Sequence, residues 1–246
     1  MRKSHDKQNK QNAESSTNVS EKELKSTEQI LHKRPKIQFR TSAQEKLWNL
    51  IDEHEIVMIS GPAGTGKSHI SVAKAIELIA TKKYKRIIII KPVVEADEHL
   101  GFLPGDVDEK LTPYTFSTYY LFEKILGKRR MEALEENEHL VVMALAYLRG
   151  VNIDNSVLIF EEAQNCTPKQ MKTLLTRIGE NSKFIISGDL EQSDRYKFEK
   201  DSGLYIAIEK LKDLLEIGTF EFTQADIVRN PIIGKILKKL NGSIDK

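Results

Sequence analysis

The 246-residue sequence is poor in cysteine and tryptophan, with one of each, and it has no long apolar run. A single cysteine, Cys166, excludes a disulfide framework and a cysteine-based zinc site. No apolar stretch approaches the roughly 18 residues that a membrane-spanning helix needs, and the amino terminus lacks the apolar segment of a secretory signal. We therefore expect a cytoplasmic protein. Hydrophobic residues make up 39% of the chain, which is enough to build one core.

Net charge is also small, at +2, but this value averages two unlike parts of the chain. Residues 1–40 hold ten basic and five acidic residues, a net of +5. Residues 41–246 hold 28 basic and 31 acidic residues, a net of −3. By composition, therefore, only the amino-terminal part offers a basic surface. Binding to nucleic acid would need that part or a local cluster of basic side chains.

The amino-terminal segment has too few apolar residues to form a core of its own. Val19 is the only sizeable apolar side chain in residues 2–20, so burial cannot offset the entropy of ordering this segment. We interpret residues 1–35 as a basic, disordered tail and residues 36–246 as one domain. A capping-box pattern allows a short helix over Ser20–His32. The tail is either a solvated extension or an arm that contacts phosphates.

Apolar runs of strand length alternate with helical periodicity in the rest of the chain. The predicted strands are Ile56–Ile59, Ile87–Ile90, Val157–Phe160, Phe184–Ile186 and, more weakly, Phe220–Phe222. The predicted helices are one that begins at Ser42 and those over Ser68–Lys82, Lys172–Ile178 and Leu204–Leu215. Continuous apolar strands are buried on both faces, as in a parallel sheet covered by helices. The fold class is therefore α/β, with three layers and a mainly parallel central sheet.

A glycine-rich segment follows the first predicted strand and opens a helix. It matches the phosphate-binding pattern G-x-x-x-x-G-K-[ST] in full. Its eight residues are Gly61, Pro62, Ala63, Gly64, Thr65, Gly66, Lys67 and Ser68. Glycines let main-chain N–H groups turn toward an anion, and the helix start adds the positive end of its dipole. We predict that Lys67 reaches the β- and γ-phosphates and that the Ser68 hydroxyl binds Mg²⁺. A simple glycine-rich turn is the alternative.

Two later strands also end in polar residues. Glu161 and Glu162 follow Val157–Phe160, at the sheet edge where ligands bind in open parallel sheets. Glu161 would orient Mg²⁺, directly or through water, and Glu162 would polarise the attacking water. Two solvated carboxylates at a strand end are the alternative. After the next strand, Gln192 could sense the γ-phosphate or place the water, and Asp189 could support Mg²⁺ or a neighbouring loop.

Six further segments, in chain order, carry a resemblance to a known family. They are Val93–Asp106, Ala146–Gly150, Glu161–Asn165, Thr167–Lys172, Leu175–Gly179 and Asp226–Asn230. Together with the glycine-rich loop, they resemble the PhoH family of P-loop ATPases, which is similar to the superfamily 1 helicase core. The resemblance runs from about Thr41 to Leu240, about four fifths of the chain.

The resemblance implies a RecA- or helicase-like P-loop fold that binds and hydrolyses ATP with Mg²⁺. It also implies coupling to RNA or single-stranded nucleic acid and a ring-shaped homo-oligomer such as a hexamer. Gln44 stands where an adenine-reading glutamine precedes the P-loop in helicase-like ATPases. Arg229 is a candidate arginine finger, acting in cis or from a neighbouring subunit. A salt bridge at a helix end is the alternative for Arg229, and Arg149 and Arg177 are weaker rivals for its role.

The sequence departs from the family pattern at three positions. Glu161 replaces the usual Asp, which lengthens the arm toward Mg²⁺ by one methylene and puts the hydrolysis rate in question. Ser68 replaces the commoner Thr and keeps the hydroxyl. Asn230 replaces a His. About 40 residues precede the core and none follow it, so we expect no appended nuclease domain and no ribonuclease activity.

An aromatic cluster follows Pro113. Its members are Tyr114, Phe116, Tyr119 and Tyr120, interleaved with Lys110 and Lys124. The rings either stack on bases or pack a helix against the sheet.

Three functions fit these motifs. The first is a Mg²⁺-dependent ATP hydrolase coupled to RNA or single-stranded nucleic acid. The second is a nucleotide-gated binding module with little hydrolysis, which the longer Glu161 motivates. The third is a small-molecule kinase. Glu162 and the Gln192 loop argue against a kinase, because they favour water as the acceptor of the phosphoryl group.

Overall fold

The computed structural model describes Leu31 and residues 37–92, 107–193 and 199–228. Within these residues, six strands form one sheet in the order β3-β2-β4-β5-β1-β6, and every neighbouring pair is parallel. The strands are β1 (Ile56–Ser60), β2 (Arg86–Ile90), β3 (Leu140–Val142), β4 (Ser156–Phe160), β5 (Lys183–Ser187) and β6 (Ile217–Glu221). The helices are α1 (Ser42–Glu53), α2 (Lys67–Ala80), α3 (Val107–Leu126), α4 (Lys128–Glu136), α5 (Pro168–Leu175) and α6 (Gly203–Leu211).

Two apolar clusters lie on opposite faces of the sheet, because alternate residues of each strand point to opposite sides. One cluster joins Val57 and Ile59 to helices α1 to α4. The other joins Met58 to α5 and α6. The predicted α/β class, with helices on both faces of a parallel sheet, is confirmed. None of the described helices is long and apolar enough to cross a membrane.

Strand predictions are confirmed for β1, β2, β4 and β5, and each observed strand is one or two residues longer than predicted. The fifth predicted strand lies earlier, as β6, and Phe222 follows its end. Helix α1 has Thr41 as its N-cap, whose side chain accepts from the Gln44 N–H. Helix α5 begins at Pro168, before the predicted start at Lys172, because Thr167 and Gln170 form a capping box there.

Leu31 falls within the predicted tail, yet it is helical and 5% exposed in the core cluster beneath α1 to α4. Packed structure therefore reaches back to this residue, earlier than the predicted boundary at residue 35. The remaining residues of the predicted tail lie outside the described residues, and its disorder stays a prediction.

Candidate nucleotide-binding site

The strand order brings three predicted site segments to one edge of the sheet. The glycine-rich loop follows β1, Glu161 and Glu162 follow β4, and Asp189 follows β5. Since β5 lies between β1 and β4, the two outer segments are two strand spacings apart, roughly 10 Å. Ligands of open parallel sheets bind at such carboxyl-terminal edges.

Glycine is required at two places in the loop. Gly61 has φ of +134°, and a Cβ there would lie 2.5 Å from the Phe222 carbonyl oxygen. Gly66 is the N-cap of α2 with φ of +95°, and a Cβ there would lie 2.6 Å from Nε2 of Gln44. The close neighbours and the left-handed backbone explain why the pattern demands glycine at these positions.

Lys67 and Thr65 make side-chain contacts within the loop. Nζ of Lys67 donates to the carbonyl oxygens of Gly61 at 2.5 Å and Pro62 at 3.0 Å. The Thr65 hydroxyl donates to the same Pro62 oxygen at 3.1 Å. Lys67 therefore lies across the mouth of the loop, and the half-buried Ser68 follows it in the first turn of α2.

Gln44 holds the glycine-rich loop from α1. Its Nε2 donates to the Thr65 carbonyl oxygen at 2.8 Å, and its Oε1 accepts from the Arg40 N–H at 2.9 Å. The side chain is 3% exposed. Both ends of the amide thus bind main chain, so Gln44 braces the loop. The adenine-reading role implied by the family resemblance stays a prediction.

Glu161 is 3% exposed at the end of β4 and uses one oxygen for contacts within the protein. Its Oε2 accepts from the Thr118 hydroxyl of α3 and lies 3.2 Å from Nζ of Lys91. Its Oε1 is buried without a hydrogen-bond partner among the described residues. Carboxylate and hydroxyl oxygens suit Mg²⁺, so this open oxygen and the Ser68 hydroxyl fit a site for the cation.

Glu162 differs from its neighbour in being exposed. It adopts a left-handed backbone with φ of +54°, which turns the chain away from the strand direction. Its Oε2 accepts from Nε2 of the buried Gln164 at 2.7 Å. An accessible carboxylate held by one donor can accept a proton from water.

Gln164 links Glu162 to the loop after β5, a role that pattern reasoning missed. Its Oε1 accepts from the Asp189 N–H at 3.1 Å, and its Nε2 lies 3.3 Å from the Gln192 carbonyl oxygen. Gln164 is only 1% exposed, so nearly all of its polar capacity is used inside the protein. Its place in the Glu-Glu-Ala-Gln-Asn segment was the only sequence signal for it.

Asp189 and Gln192 lie on that loop with different surroundings. Oδ1 of Asp189 accepts from the Glu191 N–H at 3.2 Å, whereas its Oδ2 is buried without a hydrogen-bond partner within the described chain. Gln192 is exposed and closes a short 3₁₀ turn. This edge of the sheet therefore holds a second buried carboxylate with an open oxygen.

Arg229 and Asn230 lie outside the described residues. Val228, the residue before them, donates its N–H to the Gly64 carbonyl oxygen of the glycine-rich loop at 3.0 Å. Of the two rival arginines, Arg149 is exposed, and Arg177 lies between α5 and β5, where its main chain pairs with Ile153. Arg177 thus lies near the amino-terminal end of β5, far from the predicted phosphate site.

The aromatic residues after Pro113 differ in exposure, and base stacking stays a prediction. Tyr119 packs against the core, whereas Phe116 is 70% exposed and Tyr120 is 57% exposed on α3. The side chain of Tyr114 lies outside the described residues.

Comparison with known proteins places the chain in a family. The family model described as "PhoH-like protein" matches residues 36–241. The chain belongs to the PhoH-like protein family. A PhoH-like protein of Bacillus subtilis is 42% identical over 82% of this chain and 63% of its own length. Protein PhoH of Escherichia coli K12 is 38% identical over 80% of this chain and 56% of its own. The chain thus spans about three fifths of these curated relatives.

Among solved structures, Pif1 helicase from Candida albicans aligns with 83% of this PhoH-like chain and 44% of its own. The identity is 16% and the TM-score is 0.42. This distant likeness carries no functional argument.

Proposed function

We propose that this PhoH-like chain is a Mg²⁺-dependent ATP hydrolase whose turnover is coupled to RNA or single-stranded nucleic acid. One observation carries the hydrolase proposal. A phosphate loop and two unlike carboxylates share one edge of the sheet, where Glu161 is buried with an open oxygen and Glu162 is exposed. Adjacent residues with such different surroundings suit different tasks, cation binding and proton acceptance.

The glycine-rich loop would bind the β- and γ-phosphates of ATP. Main-chain N–H groups at the start of α2 face the anion, and Lys67 exchanges its contacts with Gly61 and Pro62 for phosphate oxygens. Ser68 and Glu161 would hold Mg²⁺, and Asp189 would support it from the loop after β5. When bound with the nucleotide, the cation offsets phosphate charge.

Glu162 would take the proton of the attacking water. Gln164 keeps the carboxylate in place through its 2.7 Å hydrogen bond and ties it to the main chain of the β5 loop. Gln192 lies on that same loop, where it would sense the γ-phosphate. Its contact with Gln164 would connect it to Glu162.

Arg229 would stabilise the charge that develops on the γ-phosphoryl group. The contact between Val228 and Gly64 supports this assignment, because it brings the chain to the loop one residue earlier. A neighbouring subunit of a ring-shaped homo-oligomer could supply the same residue in trans.

One contact favours the second function, a nucleotide-gated binding module with little hydrolysis. Lys91 lies 3.2 Å from Glu161, so a cation of the protein already offsets the carboxylate that would hold Mg²⁺. Competition of this kind would slow turnover without preventing nucleotide binding.

Product analysis with γ-labelled ATP tests the proposal. We expect free phosphate in the presence of Mg²⁺, none in excess chelator, and strong loss of nucleotide binding in Lys67→Met. Lys172→Met, which changes an exposed lysine of α5, serves as the matched control. Turnover no faster than that of ATP in Mg²⁺ buffer would favour the binding module, and label transferred to a metabolite would favour a kinase.

A further inference from the structure

Helix α3 has two faces with different surroundings. Thr118 is fully buried and faces the sheet, whereas Phe116 and Tyr120 are 70% and 57% exposed. Residues four apart are neighbours on a helix surface, about 6 Å apart at Cβ, so these two exposed side chains, the aromatic pair, lie on one side of α3. The same turn of helix thus carries a buried hydroxyl and an exposed aromatic surface.

Helix α3 also contacts the carboxylate assigned to Mg²⁺. The Thr118 hydroxyl donates to Oε2 of Glu161. Ser117, the next residue back, accepts from Nζ of Lys91 at 2.8 Å, and Lys91 in turn lies 3.2 Å from Glu161. Two consecutive residues of α3 therefore fix the position of Glu161, one directly and one through Lys91. A shift of this helical turn would move both contacts together.

The exposed face lies beside positive charge. Lys124 is exposed and lies one helical turn beyond Tyr120 on α3. A cation therefore borders the aromatic pair, although residues 41–246 carry a net charge of −3.

We infer that Phe116 and Tyr120 form a stacking platform for the bases of single-stranded nucleic acid, and that Thr118 and Ser117 transmit its occupancy to Glu161. Stacking needs an exposed ring face, and an unpaired strand supplies both bases for the rings and phosphates for the neighbouring Lys124. A duplex hides its base faces and does not fit. The transmission to Glu161 rests on the proposed ATP hydrolysis, whereas the platform itself does not.

Binding measurements test the platform independently of hydrolysis. We expect labelled single-stranded RNA and DNA of about 20 nucleotides to bind the full chain more tightly than a duplex of the same length. Replacing both rings, Phe116→Ala with Tyr120→Ala, should weaken binding of either strand by at least about tenfold, because both stacking surfaces are lost. Tyr147→Ala, which removes a 51% exposed ring elsewhere, should leave the affinity unchanged.

Equal affinity of the double variant and the original chain would overturn the platform, even if ATP hydrolysis is confirmed. Absence of single-strand binding in the original chain would overturn the platform as well. The exposed rings would then be a candidate contact surface for a protein partner. If the platform binds but ATP is not hydrolysed, the proposed function fails and the platform stands.

Thr118 tests the transmission. We expect Thr118→Val, which keeps the side-chain volume but removes the hydroxyl, to bind the single strand normally and to lose most of its stimulation of ATP turnover. Thr118→Ser keeps the hydroxyl and should restore the stimulation, which a packing role alone would not explain. Stimulation in Thr118→Val equal to that of the original chain would overturn the transmission.

Discussion

The two ends of the central sheet differ in how their buried charged groups are paired. At the amino-terminal end, Lys183 begins β5 and is 4% exposed, and its Nζ donates to three main-chain oxygens at the end of α1. At the carboxyl-terminal end, Glu161 and Asp189 are also buried, at 3% and 7% exposed, yet each keeps one oxygen without a hydrogen-bond partner among the described residues. The buried groups at the two ends therefore differ in their hydrogen bonding and not in their burial.

Lys74 shows the same complete pairing on the helix next to α1. It is 1% exposed, lies 2.6 Å from Asp52 and 3.1 Å from Glu77, and sits 4.3 Å above the centre of the Trp48 ring. A buried cation with two carboxylates and an aromatic ring is satisfied by the fold itself.

The difference indicates which end supports stability and which supports function. An unpartnered buried oxygen costs free energy, about 1–3 kcal/mol when uncompensated, so two such oxygens at one edge support the proposal that a ligand binds there. Arg177 is an exception, because its Nε is buried without a described partner near the amino-terminal end. Its Nη2 nevertheless donates to Thr176.

The largest effect on stability is expected when the pairing of Lys74 is removed. We expect Lys74→Met to lower the free energy of unfolding by about 2–3 kcal/mol, because it removes both ion pairs and the cation over Trp48. ATP turnover should stay within about twofold, since the phosphate site is unchanged. Urea unfolding measures the first effect and phosphate release the second. Lys212→Met removes an exposed pair with Glu209 and should cost less than about 0.5 kcal/mol. A large loss of turnover with unchanged stability would reverse the roles of the two ends.

The next effect belongs to Gln164, at the carboxyl-terminal edge. We expect Gln164→Met to lower kcat about tenfold and to leave the affinity for ATP within about twofold, because Glu162 and the Asp189 N–H lose their hydrogen bonds to Gln164 whereas the glycine-rich loop keeps its own contacts. Steady-state kinetics and nucleotide titration measure the two quantities. Gln170→Met, which removes one of the two hydrogen bonds of the α5 capping box, is the control and should change stability but not kcat. Weakened nucleotide affinity with normal kcat would contradict the assignment of Gln164.

A smaller effect concerns Asp189. We expect Asp189→Asn to raise the Mg²⁺ concentration needed for half-maximal turnover about fivefold, since it removes a charge at the edge assigned to the cation. The free energy of unfolding should stay the same or rise by up to about 1 kcal/mol, because the open oxygen makes no contact that the variant loses. Asp213→Asn, at an exposed position, should change neither quantity. An unchanged Mg²⁺ requirement would remove Asp189 from the site.

A further effect is a pH dependence at Lys183. Burial lowers the pKa of Lys183 from 10.5 to about 8, so the folded protein releases this proton at lower pH than the unfolded chain does. The contribution of Lys183 to stability should therefore rise as pH increases from about 8 toward 10.5, and stay constant below pH 8. Urea unfolding of the original chain and Lys183→Met at pH 7 and about pH 9.5 measures the difference. A difference that shrinks at the higher pH would contradict this sign.

Local patterns predicted much of the fold and the phosphate loop. Strands β1, β2, β4 and β5 are short apolar runs, and the glycine-rich loop carries its own strand-to-helix context, so each could be identified without knowledge of distant residues. Strand β3 has only three residues, and α3 has mixed polarity and contains Pro113. Hydrophobic periodicity therefore predicted neither element.

Contacts between distant parts of the chain could not be predicted. Thr118 meets Glu161 across 43 residues of sequence, and Gln164 meets the main chain of Asp189 across 25. Neither contact has a sequence signal, because each depends on which strands are neighbours in the sheet. The sequence likewise could not show that Phe116 and Tyr120 are exposed while Tyr119 packs inward.

Glu162→Gln tests the central claim most directly, that the carboxyl-terminal edge separates nucleotide binding from water activation. ATP turnover and ATP affinity should be measured on the same preparation, with Glu180→Gln, near the amino-terminal end of β5, as the control. We predict that Glu162→Gln lowers kcat by roughly 10²- to 10⁴-fold, as expected for loss of a general base, while affinity for ATP persists and Glu180→Gln matches the original chain. Full turnover in Glu162→Gln would contradict the claim.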